Sequence, residues 1–210
     1  ERTGHLVGER AREGLDSAGL GPDDIQMVGV GTCTPDLVLP NPACLLQERM
    51  GMTGPAFSVE AACSGFVYAL TIADQFIRSG QVERSLVVGA RTMSGLIDWT
   101  ARETCVLFGD GAGAAVLQQV SEGRGLLGSW MMSDGAGASV IEIPAGGVRT
   151  PIPSPSFEDG DQYFHMEGSA VSDFATEAFP QAVSAVLDRT GHSLPTASMI
   201  MPHHATINLT

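Results

Sequence analysis

Two stretches, Met27-Val28-Gly29-Val30-Gly31 and Ser85-Leu86-Val87-Val88-Gly89, are apolar at consecutive positions rather than at every second one. A strand with one wet face alternates apolar and polar residues. A strand with no polar face must be covered on both sides, as in a largely parallel sheet between helical layers. The stretches around them carry helical spacing. Leu6, Val7, Ala11, Leu15 and Leu20 predict an amphipathic helix over 2–19 that ends at Gly19 and Gly21, and a second helix is predicted over 43–50. Phe66, Val67, Leu70, Ala73, Phe76 and Ile77 mark a mostly buried helix over 64–78, preceded by a strand over 57–60. Residues 35–42 form a proline-punctuated loop, and 145–161 a Pro-, Gly- and Ser-rich one. Further strands are expected over 105–108 and 114–117, joined by a tight turn at Gly109-Asp110-Gly111-Ala112-Gly113, and over 125–131, 140–143 and 199–201. A long helix is expected over 170–189. Strands and helices that alternate in this way predict a layered α/β fold, and no repeat of 20–50 residues is present.

Composition narrows the function. The formal net charge is −13 and no Lys occurs, so every basic residue other than His is Arg. Such a chain repels phosphate backbones, which excludes general nucleic-acid binding while leaving room for one Arg to grip a small phosphorylated ligand. No apolar run approaches the roughly 20 residues that span a bilayer, and no signal segment is visible, so a cytoplasmic location is expected. Cys33, Cys44, Cys63 and Cys105 form no Cys-x-x-Cys pair. They read as buried thiols of a reducing compartment rather than metal or redox ligands.

Three constellations carry chemistry. Cys63 lies between a predicted strand and a long helix, in Glu60-Ala61-Ala62-Cys63-Ser64-Gly65-Phe66. The N-terminus of a helix favours a thiolate, and the Cys63 N–H is placed to donate to an oxyanion. A buried structural cysteine fits the same pattern. His203, in Pro202-His203-His204-Ala205, follows an apolar strand and suits a base or a hydrogen-bond donor in a cleft; a surface turn is the alternative. Adjacent His on extended chain point apart, so the pair is not a metal site. The glycines at 109–113 precede a strand pattern, not a helix, and so are a structural turn rather than a dinucleotide loop. Arg102 stands just before the Cys105 run, where it is either a ligand-phosphate grip or a solvated side chain.

Together, Thr34-Pro35-Asp36, Ala61-Ala62-Cys63-Ser64-Gly65-Phe66-Val67-Tyr68-Ala69-Leu70, Val106-Leu107-Phe108-Gly109-Asp110-Gly111-Ala112-Gly113-Ala114-Ala115-Val116-Leu117, Met166-Glu167-Gly168 and Pro202-His203 resemble β-ketoacyl-acyl carrier protein synthase III, a thiolase-fold condensing enzyme. The resemblance covers essentially the whole chain. It implies a thiolase-like layered αβαβα fold, incomplete at both ends here. Residues 1–119 would be the remainder of the N-terminal half carrying the cysteine, and 120–210 the start of the C-terminal half carrying the histidine.

The resemblance also implies an acyl-CoA primer loaded on Cys63, then decarboxylative condensation with malonyl-acyl carrier protein in fatty-acid or related biosynthesis. No cofactor is expected, CoA thioester being a substrate. His203 would stabilise the enolate oxygen. Arg102 would grip CoA, Gly168 would lie along the pantetheine channel, and Met93, Phe108 and Phe164 would line the acyl pocket. Leu39 would reach the pocket of a second subunit, which implies a homodimer.

The sequence departs from the family where His203-His204-Ala205-Thr206 stands in place of His-Gln-Ala-Asn. The family's active-site Asn, second oxyanion glycine and CoA-stacking Trp have no counterpart in the chain. An acyltransferase of the same fold without chain extension, and a non-catalytic homologue, are the alternatives.

Overall fold

The computed structural model describes residues 2–121 and 123–203. The chain divides into two compact units. One comprises Glu1–Thr92 with Gly109–Leu127, and the other Met93–Phe108 with Gly128–Thr210.

The first unit is built on a four-stranded sheet. Its strands are β1 (Met27–Gly31), β2 (Ala56–Val59), β3 (Arg84–Thr92) and β4 (Asp110–Gln118), in the spatial order β2-β1-β3-β4. β1 lies parallel to both β2 and β3, and β4 runs antiparallel to β3. Helices α1 (Thr3–Ala18) and α2 (Pro42–Met50) share one core with Val28, Val30, Leu86, Val88 and Ala90. Helix α3 (Gly65–Arg78) makes the other core, through Ala69, Ala73 and Ile77, with Met27 and Val87. Successive residues of β1 and β3 thus feed opposite cores, which is why neither strand has a polar face. The unit is a three-layer α/β/α sandwich, as the continuous apolar runs predict.

Local chemistry places the helix ends. Asn41 caps α2, its side-chain oxygen accepting from the N–H groups of Ala43 at 2.9 Å and Cys44 at 3.1 Å, with Pro42 at the first helical position. α1 has no side-chain cap of its own. The Asp36 carboxylate instead accepts from the N–H groups of Thr3 and Gly4, each at 2.9 Å. This ties the loop after β1 to the start of α1.

In the second unit, α5 (Gly168–Thr190) is the long helix, ended by Gly191 in the left-handed conformation at φ 68°. A short helix α4 spans Arg102–Cys105, and two-residue strands β5 (Ile141–Glu142) and β6 (His165–Met166) pair antiparallel. Among the described residues no helix is long and apolar enough to cross a membrane.

Four sequence expectations are corrected. The run 105–108 is the end of α4 and a turn, because the N–H of Cys105 bonds the Ala101 carbonyl and that of Leu107 the Thr104 carbonyl. A four-residue apolar run carries too little periodicity to separate strand from helix. Gly109-Asp110-Gly111-Ala112-Gly113 is no turn. From Asp110 on it belongs to β4, with Gly111 opposite Arg91 and Gly113 opposite Gly89. The segments 125–131 and 199–201 are not strands, since no described strand lies beside them to take their hydrogen bonds. The four thiols are not buried. Cys33, Cys44 and Cys105 are half-buried and Cys63 is exposed, because these four residues lie outside both cores.

Candidate active site

Cys63 sits in a 3-10 turn, Ala62–Ser64, directly between β2 and α3. The approach to it is sharply bent. Ala62 has φ 40°, the one positive φ outside glycine among the described residues. Such a backbone conformation is costly for a residue with a Cβ, and marks a site where the surrounding structure imposes the geometry. The Ala62 N–H donates to the Glu60 carboxylate at 3.2 Å, which closes the bend. The thiol of Cys63 is thereby set at the N-terminal end of α3, where the helix's unpaired N–H groups favour an anion.

Two glycines fix where α3 begins. A Cβ on Gly31 would lie 2.5 Å from the Gly65 carbonyl carbon and 2.7 Å from the Phe66 nitrogen. A Cβ on Gly89 would lie 2.9 Å from Cβ of Phe66. Only bare backbone at these positions of β1 and β3 admits the first turn of α3. The Thr32 N–H donates to the Val59 carbonyl at 3.1 Å, continuing the β1–β2 pairing up to the bend.

Gly31 and Gly89 are register partners facing α3. Two residues beyond each stand Cys33, in a bend just past β1, and Arg91, on the same side of β3 as Gly89 by the twofold period of a strand. The Arg91 guanidinium donates to the Cys33 sulfur. Burial pushes the Cys33 thiol above its ordinary range. The Arg91 charge pulls it back, while Glu60 and Cys63 add to the rise. Cys33, Glu60, Cys63 and Arg91 therefore form one electrostatic cluster at the carboxyl ends of β1, β2 and β3. That end of a parallel sheet is where α/β proteins place their ligands.

Sequence reasoning found Cys63 and missed Cys33, which interacts with it electrostatically, and Arg91, which is bonded to Cys33. The signal was available. Each residue lies two positions past the glycine that ends a recognised apolar run.

The other predicted site residues fall as follows. Leu39 belongs to the first unit, in a loop where Leu37, Val38 and Leu39 are 50%, 91% and 81% exposed. Met93, Arg102, Phe108, Phe164, Gly168 and His203 belong to the second. Phe108 and Phe164 are brought together, ring centroids 4.7 Å apart and planes at 61°, an edge-to-face pair. Buried Met93 opens a 3-10 turn whose Leu96 N–H bonds its carbonyl at 2.9 Å, and the Leu96 carbonyl accepts from the Phe164 N–H at 2.8 Å. Arg102 is the exposed first residue of α4, and Gly168 the exposed first residue of α5. His203 is exposed and is the last described residue. His204, Ala205 and Thr206 lie outside the described residues.

Comparison with known proteins gives one consistent likeness. The family model for 3-oxoacyl-[acyl-carrier-protein] synthase III matches residues 57–135, which include Cys63 and all of β4. A β-ketoacyl-[acyl-carrier-protein] synthase III of Caldanaerobacter subterraneus is 40% identical over 210 residues, 100% of this chain and 63% of the relative. That of Alkalilimnicola ehrlichii is 44% identical over 211 residues, 98% of this chain and 63% of its own length. The chain is similar to β-ketoacyl-acyl carrier protein synthase III along its whole length. Solved structures give it the thiolase-type fold of that family. The Thermus thermophilus synthase III superposes with TM-score 0.89 at 31% identity, over 100% of this chain and 64% of that one. The Aquifex aeolicus 3-oxoacyl-[acyl-carrier-protein] synthase III gives 0.88 at 32%, over 100% and 63%. The chain thus spans a little under two thirds of the length of these relatives.

Proposed function

We propose that the protein is a condensing acyltransferase that loads an acyl group from acyl-CoA onto Cys63 and extends it with malonyl-acyl carrier protein, in fatty-acid or related biosynthesis. The observation that carries this reading is the exposed Cys63 thiol at the N-terminus of α3, set there by a strained turn, in a chain similar to synthase III enzymes over its whole length.

In the first half-reaction the Cys63 thiolate attacks the thioester carbonyl, and the tetrahedral oxyanion is held by the Cys63 N–H. CoA leaves as a thiolate that takes up a proton. In the second, malonyl-acyl carrier protein loses carbon dioxide. His203 donates a hydrogen bond to the enolate oxygen that forms, and the carbanion attacks the acyl-Cys63 thioester. The new carbon–carbon bond expels the Cys63 thiolate and regenerates the site.

Arg102 grips the CoA phosphates, and Gly168, lacking a side chain, leaves room for the pantetheine arm. Met93, Phe108 and Phe164 line the acyl pocket, completed by Leu39 of the partner subunit in a homodimer. The exposed apolar run Leu37-Val38-Leu39 supports that assembly, since apolar side chains so fully exposed are usually covered by a partner. The halves 1–119 and 120–210 carry the cysteine and the histidine respectively, and the enzyme works in the cytoplasm without a cofactor.

The test is a reconstituted reaction with acyl-CoA and malonyl-acyl carrier protein. One equivalent each of CoA, carbon dioxide and β-ketoacyl-acyl carrier protein is expected, and no product from His203→Ala. Release of free fatty acid without carbon dioxide would instead identify a hydrolase.

A further inference from the structure

Arg91 lies on β3, an inner strand, on the side of the sheet that α3 covers. It is half-buried, and among the described residues it makes no ion pair. Its hydrogen-bond acceptor is the sulfur of Cys33. A guanidinium is always charged, and a partly desolvated one is strongly drawn to a counter-anion. Cys33 does not supply it, because partial burial raises that thiol above its ordinary value and so favours the protonated form. The one carboxylate of the cluster, Glu60, lies at the end of β2, on the far side of β1 from Arg91, and already accepts from the Ala62 N–H. The anion left to be formed in the cluster is Cys63.

We propose that Arg91 is a positioning residue for the Cys63 thiolate. Held against Cys33 at the carboxyl end of β3, it supplies the positive charge that stabilises ionised sulfur at Cys63, and the Glu60 carboxylate opposes it. Among the described residues, the groups that enter this balance include Cys33 just past β1, Glu60 just past β2, Arg91 on β3, and the N-terminus of α3 itself. The inference rests on Cys63 as the acyl-carrying group but needs no turnover to be tested.

The experiment is the pH dependence of iodoacetamide alkylation of the protein, read by peptide mass so that label on Cys63 is counted apart from label on Cys33, Cys44 and Cys105. Arg91→Gln lowers the Cys63 rate at neutral pH by roughly three- to tenfold and moves the profile to higher pH. Arg91→Lys keeps most of the rate, and Glu60→Gln moves the profile the opposite way from Arg91→Gln. Circular dichroism establishes that each variant is folded. Profiles for Arg91→Gln and Glu60→Gln that coincide with the unsubstituted protein overturn the proposal. Equal losses in Arg91→Gln and Arg91→Lys also overturn it, by showing that shape rather than charge matters. If Arg91→Gln does not fold, Arg91→Lys and Glu60→Gln decide alone. A displaced alkylation profile with no acylation by any acyl-CoA would sink the proposed function and leave this inference standing.

Discussion

Asp36 shows how one side chain serves an element it does not belong to. Its carboxylate takes the first two N–H groups of α1, which has neither a side-chain cap nor an acidic residue in its first turn. Asp36→Ala is expected to destabilise the protein by about 1–2 kcal/mol, and Asp36→Asn by less, in urea titrations. Cys33 gives a test of sign. Its raised thiol value means that the folded state holds the proton more tightly than the unfolded one. That contribution is full below the ordinary thiol value of about 8.5 and is lost as pH rises through the folded value. The melting temperature should therefore fall more steeply above that range in the unsubstituted protein than in Cys33→Ala. Equal slopes would contradict it. Of these residues, only Cys63 declared its importance in the sequence, because a thiol between a strand and a helix has an obvious local meaning. Asp36 was visible as part of a motif without a job. Arg91 was invisible, since its place depends on register across strands 58 residues apart in the chain.

At the scale of elements, the site exists because β1 and β3 present glycine where α3 starts. Gly31→Ala would set a Cβ against backbone atoms of Gly65 and Phe66, which move only if α3 itself shifts. A loss of more than about 2 kcal/mol is expected, together with slower labelling of Cys63. Gly89→Ala meets a side chain instead, that of Phe66, and should cost less. A Gly31→Ala protein as stable and as reactive as its parent would show that close approach does not place the cysteine. Elements with long, clear periodicity were readable. The sequence-based expectation of 64–78 for α3 differs by one residue from Gly65–Arg78, and β1 matches its apolar run end to end. Short apolar runs were not readable. At 105–108 four residues cannot show a period, and at 125–131 and 199–201 hydrophobicity reported a strand that needs a neighbour to exist.

For the whole molecule, the layered α/β class followed from continuous apolar strands between helices, and the first unit obeys it. The division of the chain into units did not follow, because Met93–Phe108 joins the second unit although it interrupts the first in sequence. Contacts between distant segments decide such a division, and no local pattern records them. The exposed Leu37-Val38-Leu39 run makes a further prediction at this scale. Sedimentation should give twice the monomer mass, and Leu39→Asp should shift the protein toward monomer. A monomer at micromolar concentration would remove the partner's Leu39 from the acyl pocket.

The central claim is that Cys63 carries the acyl group. Intact-mass spectrometry after incubation with a panel of acyl-CoA primers tests it most directly. One acyl adduct is predicted on the unsubstituted protein and on Cys33→Ala, Cys44→Ala and Cys105→Ala, and none on Cys63→Ala. An adduct that persists in Cys63→Ala, or no adduct from any primer, would contradict it.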